Sequence, residues 1–159
     1  MRLTKQTNYA IRMMMYCDSH EGLCRVSSIA QFYGLSEQFL LKILQILTKA
    51  GFVESVRGRN GGIRLAKPAS QIGLGEVVRA TEDNFALAEC FEEGDVTCPL
   101  VSSCGLNRAL SEALGAFLSI LDEYSLADLT NKEHNINVLV QLDSARQRPI
   151  DADIRAAAL

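Results

Sequence analysis

The stretch SSIAQFYGLSEQFLLKILQILTKAGFVESVRGRNGGIRLAK, from Ser27 to Lys67, constrains the fold more than any other part of the chain. It predicts a short helix from Ser27 to Tyr33, capped by Ser27 or Ser28 and ended by Gly34, where the missing side chain permits a tight reversal. A third helix, counting one earlier in the chain, starts at Ser36, whose hydroxyl can accept backbone N–H bonds, and runs to about Ala50. Leu40, Ile43, Leu44 and Leu47 fall at inward spacing, while Glu37, Gln38, Lys42, Gln45 and Lys49 fall mostly outward. Gly51 stops it. FVESV and IRLA then read as short strands, and the linker RGRNGG holds the Asn-Gly and Gly-Gly pairs that a hairpin reversal tolerates. Short helix, glycine turn, longer helix and basic hairpin together predict a winged helix-turn-helix: a mainly α fold with a small β-hairpin wing.

Around this unit the pattern stays helical. Residues 4–17 place Tyr9, Ile11, Met13, Met14 and Tyr16 among Lys5, Gln6, Asn8 and Arg12, as a one-sided helix does. Lys67-Pro68 closes the module, and residues 73–81 read as a helix with Leu74, Val77 and Val78 inward. From Leu106 to about Tyr124, Leu106, Leu110, Leu114, Phe117, Leu118 and Leu121 recur at spacings of three and four. A stripe this long exceeds what one small module covers, so a long dimerisation helix and a homodimer are expected. Residues 1–67 thus form a DNA-binding module and residues 68–143 a cysteine loop with the dimerisation helix. Residues 144–159, without a periodic core face, form a tail expected to be mobile.

Charge divides along the same boundary. Residues 1–67 carry ten Lys/Arg against four Asp/Glu, a net of +6, whereas the remainder carries six against fifteen, a net of −9. A basic half that meets a polyanion fits this asymmetry. Ser36, Gln38, Phe39 and Lys42 lie in the first turns of the third helix. There Gln can pair with adenine, Lys with guanine or phosphate, and Phe with a thymine methyl, although Phe39 also suits the core. Arg57 and Arg59 sit at the hairpin tip, placed for a narrow A·T minor groove.

Five cysteines, an odd count, argue against a disulfide framework, and no early segment reads as a signal peptide or membrane span, so a cytoplasmic protein is expected. Three of the five fall in CFEEGDVTCPLVSSC at Cys90, Cys98 and Cys104, with no C-x-x-C pair. Thiolates spread along a loop suit the corners of an iron-sulfur cluster better than one tetrahedral zinc, but zinc and unligated redox thiols both stay open on spacing alone. Cys17 ends an apolar helix face and reads as core, and Cys24, near a turn, as an incidental thiol. Neither C-x-x-C nor a Cys-His-Asp arrangement supports a redox enzyme, with only His20 and His134 available. A plain protein-interaction module is the other class left.

LTKQTNYAIRMMMY, the wing VRGRNGG and the late cysteine triplet together resemble the winged-helix iron-sulfur regulators that include IscR, NsrR and RirA. The seven-then-five cysteine spacing is most similar to the RirA branch of rhizobial iron regulators. The resemblance implies a homodimeric repressor of iron-uptake genes that binds an A·T-rich palindromic operator in double-stranded DNA. It implies a 4Fe-4S cluster, converting to 3Fe-4S or 2Fe-2S on iron loss, on Cys90, Cys98 and Cys104. Arg57 matches the arginine that enters the minor groove, and Ser36, Gln38, Phe39 and Lys42 align with the recognition-helix positions. Asn8 stands where NsrR-like members carry an acidic fourth ligand and Asn107 where IscR-like members carry a histidine. Asn8 of the opposite subunit is the favoured fourth ligand, with Asn107, water or a small thiol as the others. Sensing of nitric oxide or of cluster assembly is the alternative within the same fold.

Overall fold

The computed structural model describes residues 2–91, 98–100 and 103–130. Helix α1 (Lys5–Asp18) begins at Thr4, whose hydroxyl accepts from the Thr7 N–H. Helix α2 (Val26–Tyr33) ends at Gly34, which adopts the left-handed conformation (φ 65°) that glycine enters without steric cost. Helix α3 (Glu37–Lys49) is capped by the Ser36 hydroxyl, which accepts from the Phe39 N–H at 3.3 Å. Strands β1 (Val53–Val56) and β2 (Gly62–Leu65) pair antiparallel, Val53 opposite Leu65 and Val56 opposite Gly62, as a two-stranded wing. The helix-turn-helix and hairpin expected from the sequence are therefore present.

Two details differ from expectation. Helix α2 starts at Val26 rather than at a serine cap, with Arg25 in the capping position and no side-chain cap bond. The reason lies in the residue before it: the Cys24 N–H donates to the Ile63 carbonyl at 2.9 Å and the Ile63 N–H to the Cys24 carbonyl at 2.8 Å. This bridge fixes the backbone entering α2 and ties the α1–α2 connection to the wing. The same bridge buries Cys24, at 1% exposure, in the core that Cys17 also joins.

Met13, Met14 and Tyr16 from α1, Ile29 from α2, Leu40, Ile43 and Leu47 from α3, and Ile63 from the wing form one buried cluster. Helix α4 (Leu74–Thr81) packs on it through Val77, and its Val78 is buried as well. Helix α5 (Gly105–Asp122) buries no residue. At 18 residues it runs roughly 27 Å and packs against α4. After it the chain returns: the Leu74 N–H donates to the Tyr124 carbonyl, the Leu126 N–H to the Ile72 carbonyl, both at 2.8 Å, and a short α6 (Leu126–Thr130) buries Leu126 against α1. That last helix, five residues long, has too few periodic positions to be seen in sequence. The expected tail at 144–159 lies outside the described residues. No described helix is long and apolar enough to cross a membrane.

Candidate functional site

Two groups of side chains are the candidates. At the start of α3, Ser36, Gln38 and Lys42 are exposed, as an approaching surface requires. Phe39 differs: it is half-buried, with its ring edge-on to Tyr9 at 5.9 Å. Tyr9 also meets Tyr33 edge-on at 6.3 Å, and the Arg12 guanidinium lies 5.6 Å from the Tyr9 ring and 6.0 Å from that of Tyr33. The aromatic group fixes the first turn of α3 against α1, and cation–π attraction restrains the exposed Arg12 beside it. Burial pushes the Tyr33 hydroxyl up to about 12, and that hydroxyl donates to the Arg12 carbonyl at 3.1 Å. Arg12 is an exposed basic residue close to the start of α3 that the sequence did not single out. Its only trace was a position three residues after Tyr9 on one helix.

Arg57 and Arg59 are exposed at the wing tip on either side of Gly58, whose φ of 120° an L residue rarely adopts. The turn closes through the Gly61 N–H donating to the Gly58 carbonyl at 2.9 Å. A short, glycine-closed hairpin thus carries two exposed arginines away from the core.

The second group lies at the start of α5. Cys90 is half-buried in a single 3-10 turn (Glu89–Phe91), Cys98 is exposed, and Cys104 occupies the N-cap of α5. Asn107, in the first turn of α5, donates from Nδ2 to Cys90 Sγ at 3.3 Å. The amide thus presents its NH2 end to the sulfur, which accepts. The described residues therefore bring Cys90 to the helix whose cap is Cys104, with a polar donor between them. Among the described residues no group of three or more His, Cys, Asp or Glu is gathered as a metal site. Residues 92–97 and 101–102, which join the cysteines, lie outside the described set. Asn8 is exposed on α1.

The two groups are linked through α4. The Gln6 side chain donates to the Thr81 carbonyl at 2.8 Å, and the Thr4 N–H to Glu82 Oε1 at 2.7 Å, joining the start of α1 to the end of α4. Arg79 holds Asp122 of α5 through two hydrogen bonds of 2.6 and 2.7 Å, which keeps the Asp122 carboxyl below the usual carboxylate range. The segment leaving α4 leads directly to Cys90.

The profile of the Rrf2 family, described as iron-dependent transcriptional regulator, matches residues 3–132. The chain belongs to the Rrf2 family. Protein aau3 of Rhizobium meliloti (strain 1021) is 60% identical over 90% of this chain and 94% of its own length. HTH-type transcriptional regulator NsrR of Shouchella clausii (strain KSM-K16) is 40% identical over 92% of this chain and all of its own. The solved structure of IscR from T. potens superposes with a TM-score of 0.63 at 28% identity, covering 81% of this chain and 85% of that one. The expected kinship with IscR and NsrR regulators is borne out, as is the winged-helix fold. As an Rrf2 protein the chain is a DNA-binding transcriptional regulator and not an enzyme.

Proposed function

We propose that this Rrf2 protein represses iron-uptake genes as a cytoplasmic homodimer, and that an iron-sulfur cluster on Cys90, Cys98 and Cys104 makes its DNA binding respond to iron availability. The observation that carries the reading is the Asn107 amide on Cys90 Sγ at the start of the helix capped by Cys104. The donor chemistry fits such a cluster: soft thiolates on a loop, a helix N-terminus that favours negative charge, and an N–H bond to sulfur. A bound 4Fe-4S cluster would supply an iron corner lacking a cysteine and so open to loss when iron is scarce, leaving 3Fe-4S or 2Fe-2S.

The chain's own residues do the rest. Cys90, Cys98 and Cys104 would hold the cluster, and Asn8 of the opposite subunit would occupy the fourth position. Asn107, with its NH2 group on sulfur, is better suited to stabilising the Cys90 thiolate than to ligating iron. Ordering the cysteines sets the segment between α4 and α5, and the Gln6, Thr4 and Arg79 links carry that setting to α1 and thus to α3. Ser36, Gln38 and Lys42 then read an A·T-rich palindrome in the major groove, Phe39 backs the helix, and Arg57 and Arg59 enter the minor groove. A preference of about 1.4 kcal/mol for the DNA-fitting pose already changes affinity tenfold.

The test is an anaerobic purification. Straw-brown protein with acid-labile sulfide is expected, bleached by Cys98→Ala, and the loaded dimer should bind an operator at least tenfold more tightly than chelator-treated dimer at matched salt. Equal binding by both forms would end the reading. The resemblance to NsrR-like and IscR-like regulators supplies a second one, in which nitric oxide or cluster assembly is the signal. Operator release at lower dose of nitric oxide than of chelator would decide for it.

A further inference from the structure

Glycine inside a helix is less favourable than alanine, yet Gly75, the second residue of α4, is buried there without a positive φ to require it. The space it leaves empty is occupied by another helix. A Cβ on Gly75 would stand 1.9 Å from Asp122 Oδ1 and 2.8 Å from Arg79 Nη1. The carboxylate of Asp122, the last residue of α5, thus lies where a side chain at position 75 would be, and Arg79, four residues along α4, holds both of its oxygens at 2.6 and 2.7 Å. A gap in α4 and a guanidinium one turn later make a seat for a carboxylate from α5.

This ion pair is partly exposed, so its charge attraction stabilises the fold little. Its placement matters more. The Leu74 N–H donates to the Tyr124 carbonyl and Gly73 bridges Ser125, which ties the chain leaving α5 to the start of α4. A tie at one point leaves a helix free to swivel. The seat adds a second point at Arg79, five residues or roughly 7.5 Å beyond Leu74 along α4. Helix α4 is in turn fixed to the reading head, since Val77 joins the buried cluster that holds Leu40, Ile43 and Leu47 of α3.

We propose that Gly75, Arg79 and Asp122 are specificity-determining residues: by fixing the crossing of α4 and α5 they set the distance between the two half-sites that the dimer reads. The inference rests on the homodimer packed through α5 and not on the cluster. The two ties sit at the C-terminal end of α5 and steer the rest of it, roughly 27 Å. A swivel of about 10° at the seat would carry the far end of the helix by about 5 Å. One base pair added between half-sites moves one of them by about 3.4 Å and turns it by about 35°. A displacement of that size trades one spacing for the next, so a seat that resists it selects a spacing.

The test uses the full chain, purified without air, and duplexes carrying two copies of the half-site that wild type selects from a random pool, their centre-to-centre distance varied one base pair at a time. Wild type is expected to bind one distance about tenfold more tightly than its neighbours. In Asp122→Ala and in Arg79→Gln the preference should fall to about twofold, with dimer mass by light scattering, the circular dichroism spectrum and affinity for a duplex with one half-site unchanged. Gly75→Ala removes no charge and should flatten the profile as much. Its combination with Asp122→Ala should be no flatter than Asp122→Ala alone, because both changes break one seat. A dimeric wild type with no preferred distance, or a profile unchanged in Asp122→Ala, would overturn the proposal and leave the homodimer standing. Flattening in Arg79→Gln alone would overturn it as well, by marking Arg79 as a phosphate contact. A monomeric wild type would sink the homodimer reading, and the proposal with it. Should Gly75→Ala fail to fold, the substitutions at the exposed Arg79 and Asp122 decide the matter.

Discussion

At the scale of single residues, the distinction that matters is between a side chain placed by its own helix and one placed by a distant partner. Ser36 is of the first kind, since its cap bond reaches only to Phe39. Asn107 is of the second, its amide meeting a sulfur on a different segment. A hydrogen bond to a charged acceptor is worth about 1.5–3 kcal/mol, and one to sulfur is expected at the low end. Under the proposed function, Asn107→Ala should therefore shed the cluster to a chelator roughly tenfold faster than wild type, followed by loss of visible absorbance. Asn107→Asp, which places a carboxylate beside the thiolate, should be faster still. Unchanged decay in both would show that the amide contributes nothing to holding the cluster.

At the scale of elements, the wing is less independent than its two strands suggest. A lone two-stranded hairpin is marginal in water. This one gains a third backbone partner in Cys24, and Ile63 sits at 2% exposure in the core beneath it. Gly62 makes the approach possible, because the Cys24 carbonyl occupies the space a side chain would need. Gly62→Ala should cost about 1–3 kcal/mol and lower the Tm by several degrees, checked by thermal unfolding monitored by circular dichroism. A variant as stable as wild type would mean that the bridge yields without cost. Helix α3, by contrast, should keep its helicity in that variant, since its cap and its apolar face are its own.

At the scale of the whole molecule, α5 is the part that one chain leaves unfinished. It departs from α4, buries nothing fully, and hands the chain back to α6 in the core. Leu110, Leu114, Phe117, Leu118 and Leu121 are half-buried, while Leu106 and Ile120 are 65% and 56% exposed. Under the proposed homodimer, this apolar face is where the second copy packs. The double variant Leu106→Glu, Ile120→Glu should shift the protein from dimer to monomer by light scattering, with its circular dichroism spectrum retained. Dimers that persist in it would place the contact elsewhere. The half-buried residues are a poorer choice for this test, because charging them would also disturb the packing of α5 within one chain.

What the sequence determined by itself was whatever repeats within one element or is set by neighbours along the chain. The faces of α1, α3 and α5 follow from apolar spacing, the Ser36 cap from one hydroxyl, and the wing reversal from RGRNGG. The kinship with IscR and NsrR regulators was legible from the same local stretches. Tertiary structure alone decided that Cys24 enters the core through Ile63, that Phe39 leans on Tyr9, that Asn107 turns its amide to Cys90, and that the chain after α5 returns as α6. Each of these joins segments that are remote in sequence, and a contact between remote segments leaves no periodic trace in either of them. It comes into being only when burial of the shared apolar cluster brings the backbones together, after which hydrogen bonding must satisfy whatever polar groups have been enclosed.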